Sequence, residues 1–383
     1  MTTHTVALLG STGSIGTQAL EVIAQHPDRF TVVALAAGGG NADLLIEQAR
    51  AFSPEVVAVA DEAAAQYVAA ALPDVTVEAG EGAAAVVAGA GADVVLNGMT
   101  GSVGLLPTLA ALDAGSTLAL ANKESLVAGG ALVKDAMQRP NQIVPVDSEH
   151  SALAQALRAG TAAEVRRLVL TASGGAFRGR SRAELGDVTA EQALQHPNWD
   201  MGPVVTMNSA TMMNKALEVI EAHLLFDVPM ERIDVAVHAQ SQVHSMVEFV
   251  DGSTIAQASQ PDMRVPIALG LSWPDRLDPV RPGYDWTQPM TWTFEPLDED
   301  AFPAIRVARA AVAASPLHPA VFNAANEECV AAFAAGTLPF LAIVDTVAAV
   351  VDRFEHSADV TLEAVLAAER WARAEVSTVL GDA

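Results

Sequence analysis

One cysteine, Cys329, stands in a chain of 383 residues, so no intrachain disulfide can form. A reducing compartment is the natural setting for such a chain. Aromatic residues make up only 5%, so the cores must be built mainly from Ala, Val and Leu. Basic residues are scarce too: 21 Lys and Arg face 46 Asp and Glu, a formal charge of −25 at pH 7. That balance argues against nucleic acid and anionic membranes as partners, because both require basic patches. It also repels anionic small molecules at long range. A phosphate site in this chain therefore needs Lys, Ser, Asn and backbone N–H groups placed locally. No apolar run free of charge, Gly or Pro reaches the roughly 20 residues of a membrane span. The opening Met1-Thr2-Thr3-His4-Thr5 lacks a basic segment, so no secretory signal is expected. These absences point to a soluble, cytoplasmic protein.

What is present is apolar. Hydrophobic residues make up 51%, and the length suffices for two or three domains. Thr5–Leu9 reads as a buried strand, followed at once by Gly10-Ser11-Thr12-Gly13-Ser14-Ile15-Gly16 and a helical pattern over 17–24. Strand, glycine turn and helix start form the context of a dinucleotide fingerprint, with backbone amides facing a pyrophosphate. The spacing is G-x-x-G-x-x-G, and a tight turn without ligand would use the same residues. A second strand, Phe30–Ala36, ends in Ala37-Gly38-Gly39-Gly40-Asn41. An acid there favours NAD and a base favours NADP. Neither is present; the missing acid favours NADP, with its phosphate on the glycine amides and Asn41. Strand and helix patterns then alternate to Thr117–Ala121, which ends in Asn122-Lys123-Glu124-Ser125. Ligands of open α/β sheets sit at the carboxyl ends of strands, so Lys123 is a candidate phosphate-facing cation.

The apolar run Ile143–Val146 ends in Asp147-Ser148-Glu149-His150. If the chain stays extended, residues i and i+2 share a side, and Asp147 and Glu149 converge. Two hard oxygen ligands suit Mg²⁺ or Mn²⁺; an isolated D-x-E also fits a solvated acidic turn. Val165–Thr171 reads as a strand ending in Ser173-Gly174-Gly175, either an anion nest or a plain turn. His196-Pro197-Asn198-Trp199-Asp200-Met201-Gly202 fits a substrate-covering loop. Asn214, Lys215 and Glu218 share one helix face, where Glu218 either completes a three-carboxylate site or joins a solvated salt bridge. Val243–Val250, Asp251-Gly252 and Thr254–Ala256 read as a hairpin. The proline-rich stretch 272–296 reads as a long ordered linker. Four helical patterns, 302–314, 320–335, 338–353 and 361–380, close the chain as a small bundle. Cys329 falls mid-helix among apolar residues, a core position.

These motifs, with Val243-His244-Ser245-Met246 and Asn323-Ala324-Ala325-Asn326-Glu327, resemble one family in order and spacing along the whole chain: 1-deoxy-D-xylulose 5-phosphate reductoisomerase. Asp147-Ser148-Glu149-His150 and Ser209-Ala210-Thr211-Met212-Met213-Asn214-Lys215 carry most of the specificity. The resemblance implies an oxidoreductase with isomerase activity, making 2-C-methyl-D-erythritol 4-phosphate in the non-mevalonate isoprenoid route, with NADPH and one divalent cation, as a homodimer. It implies an α/β fold: a Rossmann-like parallel-sheet NADPH domain (1–150), a central α+β catalytic domain with a lid loop (151–272), a linker (273–300) and a C-terminal helical bundle (301–383). Asp147, Glu149 and Glu218 are then metal ligands. Lys123, Ser148, Ser173, His196, Trp199, Met201, Ser209, Asn214 and Lys215 are substrate contacts. Thr12, Gly13, Ser14, Ile15, Gly38, Asn41, Asn122, Glu124 and Gly202 are NADPH contacts. Lys123, His150 and His244 join the metal ligands as catalytic candidates.

The chain departs from the family at Gly38–Asn41, where some members carry a basic residue, and at Ala239, where Pro is more usual. Two other readings remain at this point. One is a semialdehyde-type dehydrogenase, which needs a cysteine nucleophile. The other is a non-catalytic NADP sensor, which has no use for three carboxylates.

Overall fold

In a computed structural model the described residues are 3–199, 201–355 and 359–381, so Asp200 of the expected lid lies outside them. The chain forms two compact units, each assembled from three separate stretches. The first comprises Met1–Ser125, Val133–Ser151 and Asp262–Pro282; the second comprises Leu126–Leu132, Ala152–Pro261 and Gly283–Ala383. The linear division at 150, 272 and 300 does not describe these units. The reason lies in the helix Arg264–Ser272, whose Ile267, Ala268 and Leu271 belong to the core of the first unit. Along that helix Gly270 faces Val146 and Ala119; a Cβ there would stand 2.8 Å from the Val146 side chain.

The first unit is built on a seven-stranded sheet: β1 (His4–Leu9), β2 (Phe30–Ala37), β3 (Val56–Val59), β4 (Thr76–Ala79), β5 (Val94–Asn97), β6 (Thr117–Leu120) and β7 (Ile143–Pro145). Every pairing is parallel, in the order β4-β3-β2-β1-β5-β6-β7. Val6–Leu9 of the central strand are fully buried, as expected of a strand covered on both faces. The order reverses direction between β1 and β5, which is where open sheets of this type open a crevice at their carboxyl ends. The loops after those two strands touch there. A Cβ at Gly10, whose φ is +80, would lie 2.7 Å from the Gly98 carbonyl oxygen. The strands expected from the apolar runs are all present, with ends shifted by a residue or two.

The second unit holds a five-stranded sheet: β8 (Val165–Ala172), β9 (Ile233–Val237), β10 (Val243–Phe249), β11 (Thr254–Ala258) and β12 (Glu295–Pro296), in the order β11-β10-β8-β9-β12. Only β8 and β9 pair in parallel. The hairpin β10–β11 turns at Asp251-Gly252, where Asp251 Oδ1 accepts from the Ser253 N–H at 2.9 Å. The expected linker is partly structured. It supplies β12 and anchors Trp292, whose indole N–H donates to Gln242 Oε1 at 2.8 Å. The four C-terminal helices are Ala304–Ala314, His318–Ala334, Phe340–Arg353 and Leu362–Gly381.

The third glycine of the first loop is fixed by close approach. A Cβ at Gly16 would meet the Gly10 oxygen at 2.3 Å and Ser11 Cα at 2.5 Å, both backbone atoms. Gly16→Ala should therefore destabilise the chain by about 1–3 kcal/mol, the usual range for overpacking. Gly38→Ala, which points into open space, should stay within ~0.5 kcal/mol of the parent. Differential scanning calorimetry of the two variants checks the contrast.

Candidate active site

In the first unit, the helix Ser14–Gln25 starts from Gly13, with no side-chain cap and no acid in its first turn. Its leading N–H groups and positive dipole end are thus open to an anion. Gly13 and Ser14 are exposed, and Thr12 and Ile15 half-buried. The donor set and the glycine-only approach fit a pyrophosphate. At the end of β2, Gly38 is exposed, and Asn41 caps the next helix by accepting from the Leu44 N–H at 3.2 Å. Its oxygen is engaged, which leaves the amide N–H₂ for a ligand.

Asn122 and Glu124 are placed differently. The buried Asn122 amide donates to the Met99 and Gly101 carbonyls at 3.0 and 2.9 Å and to Glu124 Oε2 at 3.0 Å. Its oxygen accepts from the Ser125 N–H at 3.1 Å. This side chain braces the loop after β5 against the end of β6.

Lys123 opens the helix Lys123–Asp135, and its ammonium pairs with Asp147 Oδ2, both side chains being about nine-tenths buried. His150 Nδ1 lies 3.9 Å from Asp147 Oδ1. Burial pushes the Asp147 carboxyl up; the Lys123 charge, followed by the His150 hydrogen bond, outweighs it and holds the group well below the usual carboxylate range. The chain does not stay extended past Val146. Ser148 begins the helix Ser148–Ala156, and the Ser151 N–H already bonds back to the Asp147 carbonyl at 2.8 Å. The cause is local: Glu149 sits in the first turn, where the helix dipole favours an acid. The two carboxylates still approach, offering oxygens within 4.8 Å of each other. Ser148 Oγ donates to Glu149 Oε2.

In the second unit, Gly174 and Gly175 follow β8 with φ of +84 and +67, and the Gly175 N–H donates to Ser173 Oγ at 3.2 Å. A Cβ at Gly175 would strike the Ser209 carbonyl oxygen at 2.4 Å, so the loop lies flat on the helix Pro203–Ala210. Ser173 Oγ and His196 Nε2 are 2.9 Å apart. His196 Nδ1 accepts from the Asn198 and Trp199 N–H groups at 3.2 and 3.0 Å. A nitrogen that accepts twice carries no proton, so Nε2–H donates to Ser173 Oγ. The serine hydroxyl is then free to donate outward. Burial pushes the His196 imidazole down to about 4. Both nitrogens of this expected substrate contact are engaged within the protein, and its direct effect is on Ser173.

Trp199 and Met201 are half-buried, and Gly202 is exposed ahead of Pro203. The Trp199 ring centroid is 6.1 Å from that of His244, whose Nε2 meets Ser259 Oγ at 3.0 Å. On the helix Met213–Phe226, Asn214 Nδ2 and the Lys215 ammonium both reach the Glu218 carboxylate. The shared helix face expected from their spacing is present, and it is buried. Lys215 is 4% exposed and Glu218 1%.

Models of the 1-deoxy-D-xylulose 5-phosphate reductoisomerase family match residues 6–130 and, for its C-terminal domains, 143–226 and 258–375. A protein of that name from Beutenbergia cavernae is 65% identical over 388 residues, covering 100% of this chain and 98% of its own. The chain belongs to this reductoisomerase family. The Kitasatospora griseola relative is 60% identical over 96% of this chain and 98% of its own. Among solved structures, the Zymomonas mobilis enzyme in complex with NADPH superposes with a TM-score of 0.91 at 40% identity, over 99% of each chain. A reductoisomerase complex with NADPH, fosmidomycin and magnesium gives 0.92 at 34% identity, over 99% of this chain and 98% of that one.

The structure adds residues that spacing did not reveal. Asn326 donates to Asn208 Oδ1 at 3.0 Å, a buried amide pair that ties the helix carrying Ser209 to the helix His318–Ala334. Nothing local marks such a pair, because 118 residues separate its members. Cys329 is buried, and burial, with help from the Glu328 charge, pushes its thiol up to about 12. A buried thiol raised in this way is poorly placed to act as a nucleophile.

The neutral His196 has a measurable consequence. Unfolded, a histidine titrates near ~6.5. Folded, this one binds its proton only near 4. Between those values the unfolded chain holds more protons, so stability falls as pH drops through that window. His196→Gln should remove this component of the slope. Urea denaturation at steps between pH 7 and 4.5 compares the two proteins, and equal slopes would argue against a buried neutral ring.

Proposed function

We propose that this chain converts 1-deoxy-D-xylulose 5-phosphate to 2-C-methyl-D-erythritol 4-phosphate with NADPH and one divalent cation, Mg²⁺ or Mn²⁺. The observation that carries the reading is the set of buried or partly buried carboxylates, Asp147 and Glu149 in one unit and Glu218 in the other. They are hard oxygen donors of the kind such cations take, and a purely structural core has little use for them. The family's NADPH- and magnesium-bound structures support the same assignment.

Asp147, Glu149 and Glu218 would hold the cation. When bound, it supplies Lewis acidity toward the substrate carbonyl and its neighbouring hydroxyl. The amides at the start of the helix Ser14–Gln25 would seat the pyrophosphate of NADPH, which supplies the hydride; Gly38 and Asn41 would face its 2′-phosphate. Ser173, Ser209 and Asn214 take the substrate phosphate, with His196 aiming the Ser173 hydroxyl. Lys215 orients the substrate hydroxyls, and Lys123 Nζ holds or moves a proton beside Asp147. The carbon skeleton rearranges to a branched aldehyde without net change of atoms, and one hydride and one proton then reduce it. Trp199 and Met201 exclude water, and substrate binding energy drives their closure.

The working form on this reading is a cytoplasmic homodimer. The exposed β11 edge at Thr254–Ala256 supports association, since natural sheets seldom leave such an edge bare. No described helix is long and apolar enough to cross a membrane.

NADPH absorbance decay with 1-deoxy-D-xylulose 5-phosphate should require Mg²⁺ or Mn²⁺ and stop with chelator. Glu218→Gln should lower turnover by on the order of 10²–10³-fold or more, the scale of losing one transition-state charge stabiliser, while NADPH still quenches protein fluorescence. Near-normal turnover in that variant would sink the metal assignment. Trp199→Ala should weaken substrate binding far more than NADPH binding; equal losses would speak against a lid.

A further inference from the structure

Trp199 meets a fixed seat within the second unit. The pairing of β10 with β11 shifts register between Val243 and Ser245, so His244 stands at a bulge, a feature that re-aims side chains. Thr171 Oγ1 lies 2.7 Å from both the Val243 and the His244 carbonyl oxygen and holds that bulge from β8. His244 Nε2 meets Ser259 Oγ at 3.0 Å, and the ring centroid lies 6.1 Å from that of Trp199. With the seat held on two sides, the place of the indole is decided by the loop that carries it.

That loop is gripped one residue earlier. Asn198 Nδ2 donates to the Ala239 carbonyl at 2.5 Å and to Ser241 Oγ at 2.9 Å, which uses both amide hydrogens. The turn that receives this amide is braced from its other side. The His238 ring stacks on Phe294 with centroids 4.6 Å apart. Its Nδ1–H donates to the Thr293 carbonyl at 2.8 Å, and its Nε2 accepts from the Val243 N–H at 3.1 Å. Gln240 Nε2 donates to Thr293 Oγ1 at 2.9 Å. Ser241 has a φ of +51, a left-handed backbone that is costly for a residue with a Cβ. Such a residue persists only where its surroundings over-determine it. The strained residue is one of the two that hold Asn198.

We propose that Asn198 is the positioning residue for Trp199: its amide, clamped by the turn at Ala239 and Ser241, aims the indole at the His244 seat. A side chain on an untethered loop must be ordered when ligand binds, and that ordering is taken from the binding energy. The clamp orders the residue next to Trp199 in advance. Asn198 itself touches no reacting atom in this role; it acts through its neighbour. The role rests on the reading of Trp199 as a substrate cover given above.

The test combines steady-state kinetics with 1-deoxy-D-xylulose 5-phosphate, thermal unfolding, and acrylamide quenching of Trp199 emission. That emission is the difference between each protein and its Trp199→Phe counterpart. Asn198→Ala and the isosteric Asn198→Asp, which lacks both donors, should raise the substrate KM about tenfold, the scale of one or two neutral hydrogen bonds. The fall in kcat should be smaller, the NADPH dissociation constant unchanged, and Trp199 more readily quenched. Ser241→Gly relieves the left-handed backbone and removes one acceptor. It should keep the parent's melting temperature and still raise KM, a split that a merely structural turn would not give. If Asn198→Ala keeps the parent's KM and quenching while Trp199→Ala raises KM, the cover stands and the positioning role is overturned, whatever the melting temperature does. If Trp199→Ala leaves KM unmoved as well, the cover reading fails, and the proposal with it.

Discussion

A buried charge must be matched, and the candidate site is arranged around that constraint. Lys123 and Asp147 are nearly enclosed in one unit, and Lys215 and Glu218 in the other. A carboxylate so buried and left alone would take up a proton. Asp147 is held well below the carboxylate range because the Lys123 charge, with the His150 hydrogen bond behind it, outweighs burial. Buried ion pairs of this kind add little to stability over apolar residues of the same size. Their presence is better explained by chemistry that requires anionic oxygens out of bulk water. Lys123 shows the same logic from the opposite side. A cation at a helix start opposes the dipole, and here a partner carboxylate offsets that cost.

The first glycine loop depends on a different exclusion, that of side chains. Gly10 approaches Gly98 and Gly16 approaches Gly10 at distances no Cβ survives. Those contacts draw the loops after β1 and β5 together at the point where the strand order reverses. With the turn so tight, the helix Ser14–Gln25 begins without a side-chain cap, and its first amides stay available. An open helix N-terminus is thus a by-product of backbone packing. The spacing of Gly10, Gly13 and Gly16 records that packing, which is why the tight turn was readable from sequence in spite of the altered motif.

Much of the fold was legible for similarly local reasons. Runs of Ala, Val and Leu bounded by glycine mark each parallel strand, and period-two alternation marks β10. The face shared by Asn214, Lys215 and Glu218 followed from helical spacing alone. What was missed depends on contacts distant in sequence or on competing local preferences. The apolar run into Asp147 implied an extended chain, yet an acid in the first turn favoured a helix from Ser148. The helix Arg264–Ser272 follows the second unit's hairpin in sequence but packs its apolar face into the first unit's core. The protonation of His196 follows from backbone donors two and three residues away, which no residue pattern records. The Asn208–Asn326 pair is wholly nonlocal.

The acidity of the chain and the anionic nature of a sugar phosphate make opposite demands, and the second unit reconciles them. On the proposed phosphate reading, neutral donors from a serine and an amide would meet the anion without raising the charge of the site. They also do not titrate. Burial keeps His196 neutral down to about pH 4, so the ring serves Ser173 in one protonation state across the working range. A phosphate monoester itself changes charge near pH ~6. With the binding groups fixed in charge, the pH dependence of phosphate capture passes to the ligand. A titrating histidine in the same place would have superimposed its own transition on that of the phosphate, tightening binding in acid, where the ligand is losing charge.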